Sequence, residues 1–213
     1  ANAYALEQLG HALAAAALLS ATVKFDGSLI LQAQGDGDLK TVVAQSTQDR
    51  QIRGLVRGDP DGHASSLEGL FGKGYLVLTI KSSNAEPYQG IVALEGKNLA
   101  EALQTYFSQS EQLPTRLWLF ATETHAAGFF LQQLPSEKPH DEDWERIEIL
   151  ADTLTAKEIF ELPCEELLYR LFNQEKVTLF KPEPVKFKCS CSTPKIEQTL
   201  FSLGRAELES ILA

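Results

Sequence analysis

Cys189 and Cys191, one residue apart in "FKCSCS" (187–192), are the residues whose type and spacing best suit chemistry in this chain of 213 residues and three cysteines. On extended backbone, residues i and i+2 project to the same side, so both sulfurs can converge on one point. Two thiolates on a tetrahedral zinc ion lie ~3.8 Å apart, a separation this spacing reaches. Lys186 and Lys188 flank the pair and favour the thiolate forms. A disulfide between the same two residues closes a very small ring, and strained bonds of that kind are readily reduced. The pair therefore suits alternation between a metal-bound and an oxidised state. A closed zinc site needs four ligands; two are missing here, and 22 residues follow Cys191.

Other motifs fall short of a site. "GLFGKG" (69–74) has two residues, not four, between its first glycine and Gly-Lys, and Gly74 stands where a phosphate loop needs a hydroxyl. It reads as a turn before a strand. "DGD" (36–38) lacks the later glycine and bidentate glutamate of a calcium loop. His11, His63, His125 and His140 are scattered and match no ligand or triad spacing. No Gly-x-Ser-x-Gly elbow is present. Cys164 follows a helix-starting proline and reads as a small half-buried residue.

Charge narrows the class further. The net charge is −10, and residues 136–176 hold twelve acidic and five basic side chains. That placement argues against a nucleic-acid binder, which needs lysine and arginine against phosphates. The longest nearly apolar run is ten residues, 12–21, against about 20 for a bilayer span, so no membrane role is expected. The opening lacks the basic stretch of a signal peptide. Few cysteines in odd number fit a reducing cytoplasm. The chain starts Ala1-Asn2 and contains no methionine, so both ends read as truncated.

The elements that must position the cysteines alternate strands with a few helices. Residues 4–21 predict a helix apolar nearly all round, hence buried. Asp26-Gly27, between "TVKF" and "SLILQA", predicts a two-residue hairpin turn, and "QGDGD" (34–38) breaks the pattern. Strands are expected at "QIRGLVRG" (51–58), "YLVLTI" (75–80) and "YQGIVALEG" (88–96), with buried strands at "RLWLFA" (116–121) and "AAGFFLQQL" (126–134). Asn98 with Glu101 has the form of a capping box opening a helix whose inner face is Leu99, Leu103, Tyr106 and Phe107. Links too short for crossover helices make this α+β. Beyond Pro135, Trp144, Ile147, Ala151 and Leu154 form a narrow apolar stripe. Thr155 with Glu158 makes a second capping box, and Pro163 fits the first turn of a third helix.

Several stretches together resemble the heat shock protein 33 family: "TVKFDG" (22–27), "QAQGDG" (32–37), "GKGYLVLTI" (72–80), "YQGIVALEG" (88–96), "YFSQSEQLPT" (106–115), "AAGFFLQQLP" (126–135), "LPCEELLYRLF" (162–172) and "FKCSCS". The match runs in order over nearly the whole chain, and "SEQLPT" with "FKCSCS" is its most specific part. The resemblance implies a redox-regulated, ATP-independent holdase of the bacterial cytosol, not an enzyme. Reduced members bind one zinc through a Cys-x-Cys and a later Cys-x-x-Cys and are inactive. Oxidants turn both pairs into disulfides, zinc leaves, and client-binding surface is exposed as the linker unfolds. By resemblance Cys189 and Cys191 are the redox-active first ligand pair, the second lies beyond Ala213, and the family's first strand precedes residue 4. The expected partners are unfolded or oxidatively damaged client proteins and, when active, a second copy in a homodimer. No family role falls on Cys164.

The expected organisation is a mixed or antiparallel sheet core with packed helices over 1–135 and an acidic helical linker over 136–188. The beginning of a small zinc-binding redox-switch domain follows over 189–213. Two other readings stay open: a thiol–disulfide oxidoreductase using Cys189 and Cys191, and a structural zinc module without redox function.

Overall fold

The computed structural model describes every residue except 1, 23–25, 61–63, 65, 84, 136–140, 190, 206–207, 209 and 211–213. Its centre is a six-stranded sheet. Strands β1 (Gly27–Gly35), β2 (Leu39–Thr47), β3 (Gln51–Gly58), β4 (Gly74–Ser82) and β5 (Ala85–Ala93) pair antiparallel, and the short β8 (Lys186–Phe187) adds in parallel, giving the order β5-β4-β1-β2-β3-β8. Period-two patterning explains the pleat. Leu29, Leu31 and Ala33 of β1 are buried on one face, while Ile30, Gln32 and Gln34 are only half-buried on the other. The architecture is the expected α+β, a sheet core with packed helices. No helix among the described residues is long and apolar enough to cross a membrane.

The alanine-rich α1 (Ala3–Thr22) lies on the inner face of the sheet, with Ala5, Ala12, Ala15, Ala16 and Leu19 buried. Its far side meets a separate two-stranded hairpin, β6 (Thr115–Ala121) with β7 (Ala126–Gln132). Small side chains allow that approach. A Cβ at Gly10 would sit 2.7 Å from the Ala121 methyl. The short α2 (Leu67–Phe71) adds Leu67, Leu70 and Phe71 to the same core. Asn98 caps α3 (Leu99–Tyr106) by accepting from the Glu101 N–H at 3.1 Å. Glu101 reaches back to the Lys97 N–H at 2.8 Å, one residue short of a reciprocal box. Tyr106 then fills the space that Gly90 leaves on β5, where a Cβ would stand 2.2 Å from its ring. A π-helical turn (Phe107–Glu111) and the left-handed Gln112, φ 54°, end the helix before Pro114.

Three expectations need correction. Asp26-Gly27 is no hairpin turn: α1 runs to Thr22, Val23–Phe25 lie outside the described residues, and the two neighbours of β1 are β2 and β4. Ser20 at the end of α1 is buried and shares a 2.8 Å hydrogen bond with the Ser46 hydroxyl, so tertiary packing carries the helix into the stretch read as strand. The hairpin turn is instead "DGD". Gly37 donates to the Phe71 carbonyl at 2.7 Å and Asp36 accepts from the Lys73 N–H at 2.8 Å, joining β1 to the unforeseen β2. Strands β6 and β7 are mostly half-buried rather than buried, because one face of the hairpin is covered by α1 and the other only by the acidic helices. Among the described residues, no three His, Cys, Asp or Glu gather to hold a metal.

Those helices are α4 (Asp141–Ala151), α5 (Ala156–Glu161) and α6 (Cys164–Phe172), the last beginning one residue after Pro163. They build a second apolar cluster: Ala151, Leu154, Leu167, Leu171 and Phe172 pack with Trp118, Phe120, Phe129 and Leu131 of the hairpin. Thr155 and Glu158 form the full capping box of α5. Arginines stitch the acidic side chains together. Arg116 Nε lies 2.6 Å from Glu148, close in distance although the N–H is not aligned for a hydrogen bond, and its Nη2 is 3.5 Å from Asp152. Arg146 bridges Asp143 and Glu175, and Arg170 pairs with Glu158. After Glu175 the chain carries no helix or strand until Lys186.

Candidate functional site

The cysteine segment is presented by the edge of the sheet. Lys186 donates its N–H to the Arg50 carbonyl at 3.0 Å and Lys188 to the Ile52 carbonyl at 3.1 Å, which sets β8 against β3. Arg50 holds this junction from three directions. Its Nη1 donates to the Ser20 carbonyl at 2.8 Å, its Nε pairs with Glu183 at 2.9 Å, and its carbonyl receives Lys186. It does so from a left-handed backbone, φ 56°, a conformation that costs a non-glycine residue free energy and persists only when surrounding contacts fix it.

Three residues on, within β3, Arg53 donates from Nε to Gln45 Oε1 at 2.7 Å and from Nη1 to Cys191 Sγ at 3.7 Å. The Cys191 N–H points at Cys189 Sγ at 3.5 Å. These donors hold the Cys189 thiol below its ordinary pKa: first the backbone N–H of Cys191, then the Cys191 side chain and the Arg53 guanidinium. Both cysteines are exposed, unbridged thiols, and Ser190 between them lies outside the described residues. The arrangement offers two neighbouring sulfurs, a cation beside them and open solvent in front. Two exposed thiols so placed, with the Cys189 pKa lowered, are chemically suited to nucleophilic and oxidative chemistry.

Cys164 stands apart, exposed at the start of α6, not half-buried, because the apolar face of that helix starts three residues later with Leu167. Among the histidines, His11 is on α1 with its pKa lowered by burial, and His125 Nδ1 shares a 2.9 Å hydrogen bond with the Thr124 hydroxyl. His63 and His140 lie outside the described residues. Sequence reasoning missed Arg50 and Arg53. Arg53 lies 138 positions from its thiol, and only its place in an edge strand followed by a second arginine at 57 hints at an accessible cation.

The family model described as Hsp33 protein matches residues 1–213. The chain belongs to the Hsp33 family. It is 62% identical over 205 residues to the 33 kDa chaperonin of Nitrosococcus oceani, covering 96% of this chain and 71% of that protein. To the 33 kDa chaperonin of Pseudomonas paraeruginosa it is 46% identical over 211 residues, with 96% and 71% covered. Its fold is similar to the crystal structure of the 33 kDa chaperonin (heat shock protein 33 homolog) of Thermotoga maritima, with a TM-score of 0.80 and 29% identity over 97% of this chain and 75% of that one. Membership in the Hsp33 family makes this protein a chaperone rather than an enzyme, which sets the oxidoreductase reading aside.

Proposed function

We propose that this chain belongs to a redox-regulated, ATP-independent holdase whose switch is the pair Cys189 and Cys191. The observation that carries the reading is the geometry of the pair: two exposed thiols joined by the Cys191 N–H, beside Arg53, at the end of a two-residue strand. Peroxide takes two electrons from the two thiols; an S–S bond forms, both S–H bonds are lost, and the peroxide leaves as two waters. Zinc, when bound, would supply on the order of 10–16 kcal/mol toward folding a cysteine module. Cys189 and Cys191 would hold it together with two further cysteines beyond residue 213. Oxidation removes these two sulfurs as donors, because only thiolates ligate.

The apolar surface for clients is at hand in the same region. Phe180 and Phe187 are 87% and 77% exposed, and Ile196 and Leu200 on α7 (Thr193–Leu203) are exposed as well. We assign the core to 1–135, the acidic linker to 136–188 and the opening of the switch domain to 189–213. The resting form in this scheme keeps its thiols reduced in the cytoplasm, and the oxidised, active form is a homodimer there. No nucleic acid or membrane takes part.

The test uses the full-length protein and a heat-denatured client. Light scattering should fall only after peroxide and heat treatment, with zinc release followed by a chromophoric chelator. Equal suppression in both redox states overturns the switch. Metal retained through oxidation favours a structural zinc module instead.

A further inference from the structure

We propose that the free edge of β3 accepts the backbone of an extended, apolar client segment, and that β8 keeps that place until the cysteine segment is released. The proposal rests on the holdase reading and names where a client would add. Strand β3 is the last full strand on its side of the sheet, and β8 pairs with it only at Gln51 and Ile52. The Arg50 and Ile52 carbonyls point outward into that pairing, so by the two-residue period Gly54 and Val56 point their N–H and C=O the same way. No strand among the described residues pairs with Gly54–Gly58 on that side.

Exposed edges attract further strands, and proteins blunt them with prolines, charges and bulges. The opposite edge, β5, carries Glu86 and Pro87, and its pairing with β4 shifts register between Ile80 and Ser82. Strand β3 carries Arg53 and Arg57, and its pairing with β2 shifts register between Leu39 and Thr41, but between Gln51 and Gly58 it has no proline and Leu55 is 47% exposed. A groove of about 430 Å³ between α1 and the β6–β7 turn reaches this edge at Ile52 and is lined in part by Leu9, Leu13 and Val185. Val185 belongs to the residue run leading into β8, so the chain already sets an apolar side chain there. An added strand would do the same with alternate side chains, while its amides pair with β3. Recognition through the backbone is largely blind to sequence, which is what a chaperone of many clients requires. The occupying strand ends two residues before Cys189, so the event that reorganises the cysteines also clears the edge.

The double substitution Lys186→Pro and Lys188→Pro deletes both N–H groups donated to β3 and keeps both cysteines; Lys186→Gln with Lys188→Gln, which removes the same two charges but keeps the N–H groups, is the control and should bind like reduced wild type. The probe is a fluorescent ten-residue peptide rich in valine and threonine, added to full-length protein under reducing conditions. The variant should bind it about tenfold more tightly than reduced wild type, with amide exchange at Gly54 and Val56 slowed about tenfold and Arg53 and Leu55 unchanged. Oxidised wild type should slow the same two amides on binding. Peptide binding without that alternating protection overturns the proposal, as does a reduced variant that binds no better than wild type. The variant arm uses no oxidant, so it reads the edge separately from the switch. If only oxidised wild type fails to bind, the redox reading is what fails.

Discussion

The six-stranded sheet and the acidic helices beside it are stabilised in different ways. The sheet is fastened by backbone ladders and by aliphatic side chains with almost no exposure, such as Leu29, Leu31, Leu76 and Leu103. Neither depends on charge. The helical segment 141–172 buries five residues against the outer face of one hairpin and relies on Arg116, Arg146 and Arg170 to tie carboxylates that would otherwise repel. One region is set by burial. The other is set jointly by a small apolar contact and by solvent-accessible ion pairs, which salt weakens. A protein so divided can loosen its helices while keeping its sheet.

The largest test of that division is a pair of truncations. Leu31→Ala should cost about 2–5 kcal/mol and lower the single main unfolding transition, read by urea denaturation. Leu171→Ala removes a side chain of similar burial from the second cluster and should cost a comparable ~2–5 kcal/mol locally. Its effect should show as faster amide exchange over 141–172 with sheet amides unchanged. Equal loss of protection in the sheet would merge the two regions into one cooperative unit.

Smaller effects sharpen the charge argument. Arg116→Met removes the ion pairs to Glu148 and Asp152 and the cation set 5.9 Å over the Trp118 ring. Because these groups are partly exposed, the expected loss is no more than about 1 kcal/mol, seen as faster exchange in α4 and a weaker response to salt. An unchanged salt response would show that the ion pairs do not hold α4. The smallest effect concerns pH. The Glu158 carboxyl is held below its ordinary range, chiefly by the Thr155 hydroxyl at 2.7 Å, with help from the Thr155 N–H and Arg170. A depressed carboxyl stabilises above its unfolded pKa and loses that contribution as pH falls through the folded one. Exchange in α5 should therefore quicken only below about pH 4, and Glu158→Gln should flatten the profile.

Local chemistry was the legible part. The Thr155–Glu158 box, the Asn98 cap, the inner face of α3 and the Cys-x-Cys pair all depend on residues within a few positions of one another, which is why sequence reaches them. Strand β2 escaped notice because its neighbouring turn, "DGD", is closed by Phe71 and Lys73 from a distant segment. The false hairpin at Asp26-Gly27 came from weighing turn preference over the burial of Leu19 and Ser20 that extends α1. Of the site, the sulfurs could be found, but not the Arg50 clamp or the cation beside Cys191, since both join β3 to residues more than a hundred positions later.

The uncoiled stretch between Glu175 and Lys186 is ten residues long, which is at most about 35 Å when drawn out. Once its far end lets go of the sheet, that stretch is a leash anchored on a docked helix. The freed strand then revisits its berth by intramolecular diffusion, at an effective concentration in the millimolar range. Under the proposed switch, the pace of resetting would then be set by the chemistry at the sulfurs, since the search for the way home is already short.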